Sequence, residues 1–259
     1  MNVIAGILLV GCTKTESEVI EFCGKKISYD ETKVVCKDVS LADLSPIMGL
    51  SKLEELDLSG TNVAELAPLK RLRSLRTLDL VATRVVDLSS LKELTKMENL
   101  SLGLTQVSDL SPLRGMTELK YLDLLHSKVS DLTPLKGLTR LEYLYISETN
   151  VNDLAPLKGL TNLVKLDLWT TEVSDLTPLK GLKELKEIDM HDTQVDDLTP
   201  LKGLQKLETL YLLGTKVSDL SPLKGLTKLE SLNLRDTKIN SEQVEALKKA
   251  LPNCEIVGP

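Results

Sequence analysis

Aromatic side chains are scarce in this 259-residue chain, which has one Phe, five Tyr and one Trp. A compact globule fills volume with such rings. A core made without them must be a small, uniform space filled many times by leucine. Only two histidines occur, His126 and His191. They stand three repeats of the pattern described below apart, roughly 15 Å along a stack of strands, so they cannot share a metal. No run of 18 apolar residues exists, which excludes an ordinary transmembrane helix. The net charge is −6 with both signs interspersed, so the basic stripe of a nucleic-acid binder is missing. G-x-S-x-G, a phosphate-binding glycine loop, H-E-x-x-H and C-x-x-C are all absent. These motifs carry nucleophilic, phosphate, metal and redox chemistry. The chain is therefore read as a non-enzyme, with no catalytic residues, no metal and no cofactor.

What is present is one unit, copied. Threonine recurs every 22 residues at Thr61, Thr83, Thr105, Thr149, Thr171, Thr193, Thr215 and Thr237, and Ser127 fills the gap. Val63, Val85, Val107, Val129, Val151, Val173, Val195, Val217 and Ile239 follow two positions later. Each unit contains L-x-x-L-x-L, as at Leu141, Leu144 and Ile146. This alternation predicts a short strand with one buried face. D-L-S-P-L-K-G-L follows, with room for one helical or 3-10 turn. Ser or Thr before Pro reads as its cap. The recurring prolines, Pro46, Pro68, Pro112, Pro134, Pro156, Pro178, Pro200 and Pro222, must lie outside any sheet. No unit can bury its own leucines, so the units must stack, strand on strand.

The stretch "LTRLEYLYISETNV" resembles the leucine-rich repeat. The 22-residue length with D-L-x-P-L-x-x-L resembles the class found in bacterial internalins and in a leucine-rich regulatory subunit of protein phosphatase 1. The resemblance spans about residues 31 to 256. It implies an α/β leucine-rich repeat solenoid: a curved right-handed coil with a parallel sheet on the concave face and short 3-10 or helical turns on the convex face. One departure is systematic, since this chain has Thr where the family has Asn. The expected organisation is a signal-peptide-like segment at 1–11, a tether at 12–20, an N-terminal cap and first strand at 21–38, repeats at 39–238 and a C-terminal helical cap at 239–259.

The two ends need covers. In "INSEQVEALKKALPNCEI", Ser241 reads as the N-cap of a helix whose apolar face is Val244, Leu247 and Leu251. Cys254 and Ile256 then read as inward strand positions. Near the N-terminus Cys36 takes an inward leucine position and Cys23 lies in the segment that covers it. A disulfide between them would close the cap; two buried free thiols are the other reading. Leu9-Val10-Gly11-Cys12 ends an apolar run and resembles the bacterial lipobox, which implies a lipid on Cys12 and an extracytoplasmic, membrane-anchored protein. Thr13 after that cysteine implies the outer membrane in a Gram-negative cell. The opposing reading is a chance cysteine in a hydrophobic N-terminus, and with it a cytoplasmic protein.

An acid recurs before each turn, at Asp43, Glu65, Asp87, Asp109, Asp131, Asp153, Asp175, Asp197 and Asp219. Capping of backbone N–H groups is sufficient to explain it. Repeat arithmetic next isolates three outward columns of the sheet. One contains Tyr121, Tyr143 and Lys165. The second contains Asp57, Asp79, Asp123, Tyr145, Asp167, Asp189 and Tyr211. The third contains Leu125, Trp169, His191 and Leu213. Every aromatic after residue 29 falls in these columns, where the leucine core has no use for it. Tyr and Trp are enriched at binding hot spots, although cross-rung stacking of Tyr121 on Tyr143 is a competing structural role. The expected partner-binding residues are Tyr121, Asp123, Leu125, Tyr143, Tyr145, Asp167, Trp169, His191 and Tyr211. The acids among them point to a protein partner with basic groups. The expected protein is a monomeric binding scaffold that touches membrane only through Cys12. The alternatives are a cytoplasmic regulator of an enzyme such as a phosphatase, and an envelope protein that is structural or binds carbohydrate.

Overall fold

The computed structural model describes residues 19–37 and 40–258. Its centre is an 11-stranded parallel sheet in which every strand pairs with the strand of the next unit, in sequence order. The strands are three residues long, from Lys33–Val35 through Tyr143–Tyr145 to Glu255–Val257. Each inward leucine faces its copy one repeat away: Val34 opposite Leu56, Leu122 opposite Leu144, Leu144 opposite Leu166. A slip of one residue would turn those leucines to water, so the register is strongly specified. The Leu, Val and Ile ladders form one continuous core, most of it fully buried.

Short 3-10 turns close the opposite side, as at Ser111–Gly115 and Thr177–Gly181. The prolines stand at the start of these turns, outside the sheet. The acid ladder caps the turns as expected, whereas the serine or threonine before each proline lies inside the turn rather than capping it. Asp109 Oδ1 accepts the Ser111 N–H at 2.8 Å, and Asp175 Oδ1 accepts the Thr177 N–H at 2.8 Å. The Thr177 hydroxyl and N–H hold the Asp175 carboxyl below its ordinary range, and the Ser111 N–H and hydroxyl do the same for Asp109.

The threonine ladder is held by a local bond in each repeat. Thr61, Thr105 and Thr149 are buried, and each hydroxyl donates to the carbonyl three residues back, at 2.6, 2.6 and 2.5 Å. Ser127 lacks the methyl group that stiffens χ1. Its buried hydroxyl has no partner among the described residues, a defect of about 1–3 kcal/mol in such a site.

At the N-terminus the strands β1 (Val19–Phe22) and β2 (Lys25–Ser28) form an antiparallel hairpin beside β3 (Lys33–Val35). Phe22 and Ile27 are buried against the end of the leucine stack. Cys23 and Cys36 are joined in a disulfide with their Cα atoms 5.7 Å apart. At the other end the helix α1 (Ser241–Ala250) is capped by Asn240, not Ser241. The Asn240 side chain accepts the Gln243 N–H, and Gln243 answers with its own side chain, which is a capping box. Asn240 alone has the extended backbone that this exchange requires. Ile256 takes the inward position opposite Leu232. Cys254 precedes the strand and is only half-buried, packed against the edge of the core.

Candidate functional site

The outward columns of the sheet lie as the repeat predicts. Tyr121 pairs with Tyr143, Asp123 with Tyr145, and Tyr145 with Asp167. Tyr143 is exposed, whereas Tyr121, Tyr145, Trp169 and Tyr211 are half-buried among their neighbours. All nine expected partner-binding residues lie on this one face, in rungs from Tyr121 to Tyr211.

The middle column has a structural half that residue types alone do not reveal. One carboxylate oxygen of each acid tends to accept the backbone N–H two residues ahead. Asp79 Oδ1 accepts from Val81 at 3.0 Å, Asp123 Oδ1 from Leu125 at 2.8 Å, and Asp189 Oδ1 from His191 at 3.2 Å. These bonds cap the turn that leaves the strand. Gly103 makes room for one of them: a Cβ there would stand 3.0 Å from Asp123 Oδ2.

Burial disfavours the charged form of these carboxyls. It pushes Asp79, Asp123 and Asp167 up, against the backbone hydrogen bonds and, at Asp167, the Ser147 hydroxyl. Burial, with Asp123 adding to it, also raises the Tyr121 phenol to about 12. The sign for stability follows from linkage. A carboxyl raised in the fold strains it while ionised, and that strain is relieved as pH falls through the raised value. Asp123→Asn keeps an acceptor for the Leu125 N–H. It is expected to raise the melting temperature at pH 7, and the gain should shrink towards zero as pH falls through the Asp123 titration. Thermal melts of both proteins between pH 7 and pH 4 check this, and a lower melting temperature for the variant at pH 7 would contradict it.

The rings contact one another diagonally. Tyr121 packs on Tyr145, with centroids 5.3 Å apart and planes tilted by 45°. The competing reading, a stack of Tyr121 on Tyr143, is not what forms, and Tyr143 is exposed. Lys165 lies 5.4 Å from the Tyr145 centroid and is bound to Glu187 at 2.7 Å. Lys165 stands in the first outward column but was not among the expected partner-binding residues. The available signal was Glu187 in the same column one repeat later. Trp169 stacks on His191, 5.0 Å apart and within 6° of parallel. The His191 Nδ1 makes a 2.7 Å bond with Asp189 Oδ1.

Two hollows open on this face. One of about 330 Å³ lies at the N-terminal end, between Lys33, Lys37, Glu55, Asp57 and Asp79. Its charges pair with one another, Lys33 with Glu55 at 2.6 Å and Lys37 with Asp57 at 3.0 Å. The other, of about 260 Å³, adjoins the aromatic rungs and is lined by Asp189, His191, Tyr211, Leu213 and Asn233. No cluster of His, Cys, Asp and Glu able to hold a metal exists among the described residues. His126 bonds Glu148 at 2.8 Å, on the turn that follows the sheet, away from His191. No helix among the described residues is long and apolar enough to cross a membrane.

Residues 139–181 and 205–249 match the family model for leucine-rich repeats in two copies. No curated protein matches the sequence. Among solved structures the chain is similar to an internalin, inlF, of Listeria monocytogenes. The TM-score is 0.85 and the identity 30%, over 91% of this chain and 70% of that one. It is also similar to internalin C2 of the same species, with a TM-score of 0.71 and 30% identity over 73% of this chain and 85% of that one. A leucine-rich repeat protein of Leptospira interrogans shares the fold at 23% identity, with a TM-score of 0.79, over 83% of this chain and 57% of that one.

Proposed function

Because the chain belongs to the internalin-type family of leucine-rich repeat proteins, we propose that it is a non-enzymatic scaffold that holds a protein partner on the concave face of its sheet. The observation that carries this reading is the placement of the aromatics. Tyr121, Tyr143, Tyr145, Trp169 and Tyr211 all stand on the outward face of a sheet whose core is leucine. They span about 20 Å of stacked rungs, a length suited to the centre of an ordinary protein interface. Leu125 and Leu213 add apolar area, and Asp123, Asp167 and the braced Asp189 add negative charge. Such a surface suits a partner with basic and aromatic groups.

A photo-crosslinking amino acid at position 143, on the sheet, tests the reading against one at position 158, on the convex turn. Adducts to one partner protein are expected from position 143 alone. Adducts from both positions, or only from 158, would reject the concave face as the site.

The reading extends to location. Cys12 lies outside the described residues, but Leu9-Val10-Gly11-Cys12 has the form of a lipidation site, and the Cys23–Cys36 disulfide suits an oxidising compartment. The protein is then carried outside the cytoplasm on a lipid attached to Cys12. Metabolic labelling with a palmitate analogue should mark the wild type and not Cys12→Ala; equal labelling of both would remove the anchor.

A further inference from the structure

We propose that the hollow between Asp189 and Asn233 is a subsite for one arginine side chain of the partner protein. The inference rests on the concave face being the docking surface, and it names the chemistry of a contact there.

The hollow is built around a braced carboxylate. Asp189 Oδ1 receives both the His191 N–H, at 3.2 Å, and the His191 ring nitrogen, at 2.7 Å. The imidazole is itself held flat against Trp169. Oδ2 is left with no protein partner among the described residues. It is a fixed acceptor beside a hollow of about 260 Å³, and a carboxylate so placed forms a charge-assisted hydrogen bond with a cation.

The remaining walls select among cations. Tyr211 follows Asp189 in the middle column and lines the hollow; a planar guanidinium stacks well on an aromatic ring. Leu213 supplies an apolar wall for the three-carbon stem. The Asn233 carboxamide oxygen is already occupied by the Arg235 N–H at 3.1 Å. A sugar needs several converging donors and acceptors. Asn233, His191 and Tyr211 also bring polar atoms to the lining, but Asp189 is its one carboxylate and Leu213 its apolar wall, so a single cation on an apolar stem fits better.

The neighbouring charges are consistent with this occupant. Lys165, in the adjoining column one rung before Asp189, is held by Glu187. Asp167 lies one rung before Asp189 and adds to the attraction. Arg235, beyond the Leu213 rim and exposed, opposes it.

Trp169 is the single tryptophan of the chain and touches His191, so its fluorescence reports on the hollow directly. The full chain is titrated at low salt with the blocked tripeptide acetyl-Gly-Arg-Gly-amide and with its neutral citrulline counterpart. A saturable change in Trp169 emission is expected for the arginine peptide, with at least tenfold weaker binding of the citrulline peptide. Asp189→Asn retains the Oδ1 acceptor and should weaken the arginine response at least tenfold. Glu65→Gln removes one negative charge from the convex side and should leave the response unchanged.

The subsite is wrong if the arginine peptide gives no saturable response, if citrulline binds equally well, or if Asp189→Asn binds as the wild type does. Any of these results leaves the scaffold reading intact so long as position 143 still crosslinks to the partner. Loss of that crosslink in favour of the convex position removes the scaffold reading whatever the peptide does.

Discussion

Replacing Tyr145 or Trp169 by alanine is expected to weaken partner binding by about 2 kcal/mol or more, roughly thirtyfold in Kd, while the fold survives nearly unchanged. The contrast with the next residue makes the expectation specific. Leu144 is fully buried in the core, and Leu144→Ala should cost about 3–5 kcal/mol of stability through lost burial and the cavity left behind. Tyr145 points the other way. Within the fold it forgoes only the ring contact with Tyr121 and the Lys165 ammonium above it, together worth about 1 kcal/mol. Melting temperature and partner recovery measured on the same three variants separate the two roles. A collapse of Tyr145→Ala comparable to that of Leu144→Ala would show the ring to be structural. Full binding by both Tyr145→Ala and Trp169→Ala would show the patch to be idle.

Removing the Cys23–Cys36 bond is expected to have the second large effect, on stability alone. The bond closes a loop with a sequence separation of 13, and cross-linking a loop of that size contributes about 3 kcal/mol through the restricted unfolded chain. Its position concentrates the effect. Cys36 is buried at the end of the leucine stack, and it directly follows β3, whose partner is the strand Glu55–Asp57. An end rung without its cap frays before the middle of a solenoid does. Cys23→Ala with Cys36→Ala should therefore lower the denaturation midpoint and raise amide exchange first in residues 33–57. Exchange in the Tyr143–Tyr145 rung and partner binding should barely move. An unchanged midpoint after full reduction of the wild type would refute a stabilising role for the bond.

The repeat was legible in the residues because its error cost is high. A 22-residue period with Leu at fixed positions admits one strand register, since a slip by one would expose the ladder to water. The same arithmetic put the prolines outside the sheet and Tyr121, Tyr143, Tyr145, Trp169 and Tyr211 on its open face. Local competition was harder to read. Ser241 looks like a helix cap, but Asn240 reaches the Gln243 N–H, and both residue types cap well. Cys254 was expected inward, but the last strand enters opposite Ser231–Asn233 and leaves it only half-buried. The hairpin of β1 and β2 carries no repeat to mark it.

The sequence by itself determined the solenoid, the face on which its aromatics stand and the absence of known enzyme motifs, because period and polarity decide which side of a strand each residue occupies. Only the tertiary structure decided how the side chains on that face meet. Tyr121 leans across to Tyr145 rather than onto the directly opposite Tyr143, and His191 lies flat on Trp169 while bonding Asp189. One oxygen of Asp123 and of Asp189 is given to backbone N–H groups. The open face has no single packed solution imposed by burial. Its rotamers are chosen by neighbours about 4.8 Å away on adjacent rungs, and which of several reachable neighbours wins depends on ring tilt and hydrogen-bond direction, which a column of residue types does not contain.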